Sequence, residues 1–345
     1  MAVVSRQSSV VSFQFSGIGC RLLAIALLLF LGEAASATER DGRWAILLSG
    51  ASGDPELQQT YLKELTDLYS TLTNSLGFPR SQVAVLFDDP SKNPEMIRRK
   101  ATREDLQALC RELAGRVHKN DLMFVFIEGH GDYDGKIYKL NLVGPDPTGE
   151  ELASMLYSIP AQRFIVINAT NCSGGSLSAL SKKEKIVIAS TKSGMEKNQP
   201  HAARFFIDAI INNAADSNKD GRVSMFEAFV YTRQKVEEYY RDEASMQTEH
   251  AVMDDNGDGQ AQPQPSPENG EGLLARTVFL DSGSSVAASA NLTPEQKELA
   301  REAQDIESRI EALKYAKAEM PEADYEKKLE DLLLKLAQIN AKLPK

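Results

Sequence analysis

Between Trp44 and Ser190 one pattern recurs: a short, unbroken apolar run, then a stretch with helical spacing. The runs are WAILLSG (44–50), VAVLFDD (83–89), LMFVFIE (122–128), FIVINAT (164–170) and IVIAS (186–190). Continuous Val, Ile, Leu and Phe suit strands with both faces covered, as in a parallel sheet; a half-exposed strand would alternate apolar with polar residues. Residues 55–76, 102–118 and 149–158 space their apolar side chains as crossover helices do. Strands alternating with helices predict an α/β fold, a doubly wound sandwich around a mostly parallel sheet.

The chain then changes character. Two helical stretches, about 200–214 and 224–244, flank DSNKDGRVSMFE, and residues 254–272 form a polar loop rich in Pro and Gly. LLARTVFL (273–280) is expected to return to the sheet as a sixth strand, and DSGSSVAASAN (281–291) reads as a linker. In the tail, 292–345, Thr293, Pro294 and Gln296 make an N-cap, a first-turn proline and a capping box. Leu299, Ala303, Ile306, Ile310 and Leu313 follow at intervals of three and four. After Pro321, a second seam runs through Tyr325, Leu329, Leu332, Leu336, Ile339 and Leu343. The pattern predicts an α-helical hairpin that buries its seam against itself, the core, a partner or a second copy.

Arg21 precedes the apolar run Leu22–Leu31, and Ala35 and Ala37 follow in an A-x-A arrangement. Residues 1–37 therefore read as a cleavable leader for a secreted or periplasmic protein, the ten-residue run being short for a membrane span. A net charge of −10 argues against a nucleic-acid partner. Outside the leader stand Cys110 and Cys172. Cys110 shares a helical pattern with Leu106, Leu109 and Leu113, so a buried thiol is expected there rather than half of a disulfide.

His130 follows the third apolar run in FVFIEGHGDYDG, and Cys172 follows the fourth in INATNCSGGSL. Open α/β sheets build their sites at the carboxyl ends of strands, so adjacent strands would bring both side chains to one edge. The separation, 42 residues, is close to the interval of about 50 seen between histidine and cysteine in caspases. A thiolate attacks an acyl carbon, an imidazole manages the proton of the leaving amine, and backbone N–H groups stabilise the oxyanion. Gly131 and the Cys172 amide are the expected oxyanion donors, and Gly174 and Gly175 allow a tight turn behind the nucleophile.

FIEGHGD and INATNCSGGS resemble the two signature segments of the legumain and caspase-like cysteine peptidases, and VAVLFDDP and IVIASTKSG are similar to legumain segments at corresponding places. The resemblance spans roughly residues 43–245. It implies a caspase-like α/β/α sandwich over 43–280 and a protein or peptide substrate cut by a Cys172–His130 dyad through an acyl-enzyme. Where legumains carry an acidic residue lining the P1 pocket this chain has Thr170, and where they carry an asparagine that orients the histidine it has Ser52, whose hydroxyl is left to do so. The P1 preference stays open: Lys192 or Arg204 would favour an acidic side chain, Glu128 or Asp132 a basic one. Two alternatives also stand: a catalytically silent module whose hairpin binds a partner, and a transamidase or peptide ligase, in which an amine captures the acyl-enzyme.

DSNKDGRVSMFE matches the EF-hand calcium loop. Asp216, Asn218 and Asp220 occupy positions 1, 3 and 5, Gly221 turns at 6, Arg222 offers its carbonyl at 7, Ser224 stands at 9, and Glu227 at 12 can bind in bidentate fashion. A structural calcium ion is expected, with no cofactor needed for catalysis. In DDNGDGQ, Asp254, Asn256, Asp258 and Gly259 repeat the first half, but Pro265 occupies position 12. That leaves an incomplete second calcium loop or an acidic turn.

Overall fold

The computed structural model describes residues 42–211, 213–281 and 293–343. The leader expected over 1–37 and the linker after Asp281 lie outside them. The strands are β1 (Arg43–Ser49), β2 (Val83–Phe87), β3 (Arg99–Lys100), β4 (Leu122–Glu128), β5 (Gly131–Tyr133), β6 (Tyr138–Leu140), β7 (Arg163–Asn168), β8 (Lys185–Ala189) and β9 (Val252–Asp254). Seven form one sheet in the order β3-β2-β1-β4-β7-β8-β9, while β5 and β6 pair as a separate two-stranded ribbon. Within the large sheet every pairing is parallel except β8 with β9. The architecture is α/β with a mostly parallel central sheet.

Alternate residues of each strand enter two separate cores, which is why the runs are apolar without interruption. Leu47, Phe124, Phe126, Ile165 and Ile167 face one side. There they meet Tyr61, Leu65, Leu68 and Leu72 of α1 (Pro55–Asn74), Phe206 of α5 (Ala202–Ile211) and Phe229 of α6 (Met225–Asp242). Ile46, Leu48, Val125, Ile127 and Val166 face the other. That side is covered by Leu106, Leu109, Cys110 and Leu113 of α2 (Arg103–Ala114), Leu152 and Leu156 of α3 (Gly149–Leu156), and Leu177 and Leu180 of α4 (Leu177–Leu180). Each fully buried aliphatic or aromatic side chain is worth roughly 1.5–3 kcal/mol. Truncating Phe126, stacked on Phe206 with ring centroids 6.1 Å apart, would cost about 3–5 kcal/mol. Cys110 is a free, buried thiol, pushed up to about 12 by burial alone.

The run 273–280 is not a sixth strand. Leu273–Thr277 forms the short helix α7, with Gly272 at φ 93° before it. The Asp255 carboxylate accepts from Gly272 N (2.6 Å) and Ala275 N (2.8 Å), so an acid remote in sequence satisfies the first turn. The edge strand is instead β9, antiparallel, with Val252 beside Ala189 and Asp254 beside Val187.

Two helices close the chain, α8 (Pro294–Tyr315) and α9 (Glu322–Asn340). Thr293 and Gln296 make the expected reciprocal capping box. Ala303, Ile306, Ile310 and Leu313 share one apolar cluster with Leu332 and Ile339, edged by Leu299, Tyr325, Leu329, Leu336 and Leu343. α8 also packs on α7. Among the described residues no helix is long and apolar enough to cross a membrane.

Candidate active site

β4 and β7 are adjacent and parallel, with Ile127 beside Asn168, and each runs out at the same sheet edge into one of the two motif segments. The segments touch. A Cβ on Gly131 would stand 2.6 Å from the Asn171 carbonyl oxygen and 2.6 Å from the Tyr138 ring, so only glycine allows this approach. The Asn171 side chain bridges them: its Oδ1 accepts from Gly131 N at 2.8 Å, and its Nδ2 donates to Lys197 O at 2.9 Å and lies 3.7 Å from the Cys172 sulfur.

Cys172 sits at φ 57°, in the left-handed region that a residue with a Cβ rarely adopts, and a 3-10 turn (Ser173–Ser176) leads from it into α4. Such strain persists where the surroundings over-determine it. Here Cys172 N donates to Glu196 O and Cys172 O accepts from Gly175 N, each at 2.8 Å. A Cβ on Gly174 would meet Ser193 N at 2.3 Å, which locks the turn against the segment after β8. Cys172 is 1% exposed. Burial raises the thiol above its ordinary value, partly offset by the charge of Lys197 and reinforced by that of Asp132.

His130 is half-buried, edge-on to the Tyr61 ring at 6.4 Å. Its Nε2 lies 3.3 Å from the carbonyl oxygen of Ser52. Ser52 thus meets the imidazole through its backbone; the hydroxyl expected to orient the histidine is buried and has no hydrogen-bond partner. Histidine and cysteine share an edge without a hydrogen bond to each other. An imidazole that serves a leaving amine must reach the substrate nitrogen, and such contacts tighten only when substrate is present. Both expected oxyanion donors, Gly131 N and Cys172 N, are engaged by protein acceptors.

Thr170 is fully buried: its hydroxyl lies 2.7 Å from Tyr138 OH and donates to Asn168 Oδ1 at 2.8 Å, a network that holds it inside the protein. Among the charges considered for P1, Lys192 pairs with Glu196 at 3.7 Å and Arg204 lies over the rings of Phe205 and Tyr239. Glu128 is buried with no donor on either oxygen; burial and the neighbouring Glu64 carboxylate hold it well above the usual range. Asp132 is the exposed acid near His130.

Sequence reasoning passed over Asn171, Glu196 and Lys197. Asn171 stands next to the cysteine, which is a signal of sorts. Glu196 offered none: its carbonyl holds the Cys172 amide while its carboxylate pairs with His250 Nδ1 at 2.5 Å, a contact made across the fold.

The loop 216–227 is folded tightly on its own amides. Asp216 accepts from Asp220 N and Gly221 N, Asn218 Oδ1 from Asp220 N, and Asp220 Oδ1 from Arg222 N. Glu227 Oε1 accepts from Ser217 N, Ser217 Oγ and Asn218 N, and its Oε2 from Ser224 N and Oγ, closing the capping box of α6. Arg222 turns its side chain onto Phe279 and pairs with Asp281 at 2.9 Å. Asp216, Asp220 and Glu227 do not bring their oxygens together as one group; among the described residues the acids that do are Asp254, Asp258 and Glu271, within 4.8 Å of one another.

No protein-family model matches the chain, and no curated protein matches it either.

Proposed function

We propose that this chain is an exported cysteine endopeptidase of caspase-like fold, with Cys172 as nucleophile and His130 as acid-base group. The observation that carries the reading is the meeting of the two glycine-flanked segments at the carboxyl ends of β4 and β7, tied by Asn171. In the reaction, the Cys172 thiol gives its proton to His130 as Sγ bonds to the substrate carbonyl carbon, the C–N bond breaks, and His130 passes that proton to the departing amine. Water then cleaves the thioester. Burial raises the thiol above its ordinary value, so substrate entry must uncover Cys172 before His130 takes its proton.

One observation favours a second reading, a catalytically silent module that binds a partner through its helical hairpin: the thiol is covered and both oxyanion amides are occupied. Incubating the mature protein with a peptide library and an electrophilic thiol probe separates the two. On the peptidase reading, C172A and H130A each lower cleavage by at least about a thousandfold with the fold intact, while C110A leaves it nearly unchanged. Wild type that cuts nothing, with Cys172 no more reactive than Cys110, supports the silent module. Product formed only with an added amine points to a transamidase.

Calcium at 216–227 would be structural. Asp216, Asn218, Asp220, the Arg222 carbonyl, Ser224 and Glu227 are oxygen donors of the kind calcium takes, and Glu227 would exchange its five amide and hydroxyl donors for the ion.

A further inference from the structure

We propose that Asp254, Asp258 and Glu271 form a calcium site that clips the polar segment following β9 to the edge of the sheet. It is independent of the peptidase reading. Asp254 lies beside Val187, whereas Val252 lies beside Ala189, the last residue of β8, so β9 runs away from the edge that carries Cys172.

The first half of the site is local. Asp254 Oδ1 accepts from Gly257 N at 2.8 Å and its Oδ2 from Gly259 N at 2.7 Å, and both glycines take positive φ, 83° and 77°. This wraps the turn so that Asp258 comes back over Asp254. Asn256 Oδ1 accepts from Asp258 N at 2.8 Å and holds the curl.

The second half comes from a distance. Glu271 is fully buried; its Oε2 accepts from Asp255 N at 2.7 Å, and no donor of the folded chain reaches its Oε1, which has the Asp255 carboxylate as a neighbour. A buried carboxylate oxygen without a donor is unfavourable unless something positive faces it. The groups that face Glu271 are the Asp254, Asp255 and Asp258 carboxylates, all acids. Asp255 itself is committed to capping α7. Three carboxylates converge here, one of them with an orphaned buried oxygen, and a cation is the partner that this arrangement lacks.

The donor set selects the ion. Carboxylate oxygens suit hard cations, and calcium accepts irregular sets completed by water; magnesium demands a tighter octahedron. Asp258 is exposed, leaving solvent on that side to supply the water ligands.

The test uses the full mature chain, melted in chelator and then across a calcium chloride titration. Binding to the native state alone raises the midpoint as RT ln(1 + [L]/Kd). Wild type is expected to rise with calcium and less with magnesium. D258N, an exposed change that the fold tolerates, should shift the calcium concentration needed for that rise upward by about tenfold or more, since ligand charge sets affinity. E271Q should do the same, while E227Q, in the other acidic loop, should keep the response to this site. A wild type whose midpoint ignores calcium, or a D258N response at unchanged calcium concentration, overturns the proposal.

Discussion

The two loops that begin Asp-x-Asn-x-Asp-Gly differ in a way their sequences do not announce. In 216–227 the acid completing the motif lies at the right chain distance, and the fold spends both of its oxygens on five amide and hydroxyl donors. In 254–271 the twelfth position is Pro265, yet Glu271, far outside a twelve-residue loop, brings an undonated oxygen to the other two acids. A motif counts residues, whereas an ion responds to distance and to lone pairs left unused. What separates the two carboxylates in the folded chain is therefore their supply of donors.

That contrast is sharpest under one substitution made at both sites in chelator. E227Q should destabilise most. An amide in place of the carboxylate turns an NH2 toward backbone N–H donors at one end of a buried network, a loss of about 3 kcal/mol for charge-assisted bonds. Urea unfolding measures it, and a loss below about 1 kcal/mol would mean that the five bonds are weak.

Next in size, taken per pH unit, is the response of Glu128, a buried carboxylate without donors whose neighbour is the Glu64 carboxylate. Its folded-state pKa is raised, with burial first and Glu64 second as causes. The folded protein keeps a proton that the unfolded chain releases above its ordinary value of 4.5, so stability is full below that pH and falls as pH rises. The slope approaches about 1.4 kcal/mol per pH unit. E128Q should flatten the profile of unfolding free energy between pH 5 and 8; an unchanged slope would assign the titration elsewhere.

Smallest is E271Q, opposite in sign to E227Q. Its NH2 can donate to the neighbouring carboxylates, so in chelator stability should rise by about 1 kcal/mol. Equal losses from E227Q and E271Q would erase the distinction between the loops.

Much of the architecture was legible because its signals are local. The five apolar runs all became strands of the large sheet, the Thr293–Gln296 box caps α8, and the 4-3 seam residues gather in one cluster. LLARTVFL misled because its composition suits a strand, while the Asp255 carboxylate that caps the helix at Leu273–Thr277 comes from another part of the chain. The candidate site was legible in the same uneven way. His130 and Cys172 announced themselves by following strands, but the acceptors that occupy Gly131 N and Cys172 N, Asn171 and Glu196, did not.

The sequence by itself determined where strands and helices form, because hydrophobic period, capping and turn residues act over a few neighbours. It also determined that a histidine and a cysteine each follow a strand, at the carboxyl end where open α/β sheets build their sites. Only the tertiary structure decided which polar groups are satisfied. Glu227 and Glu271 are the same side chain after similar acidic turns, and the chain's long-range packing set five donors on one and left an oxygen bare on the other. Hydrogen-bond partners are assigned by proximity in space, and proximity between residues distant in sequence exists only after the core has closed.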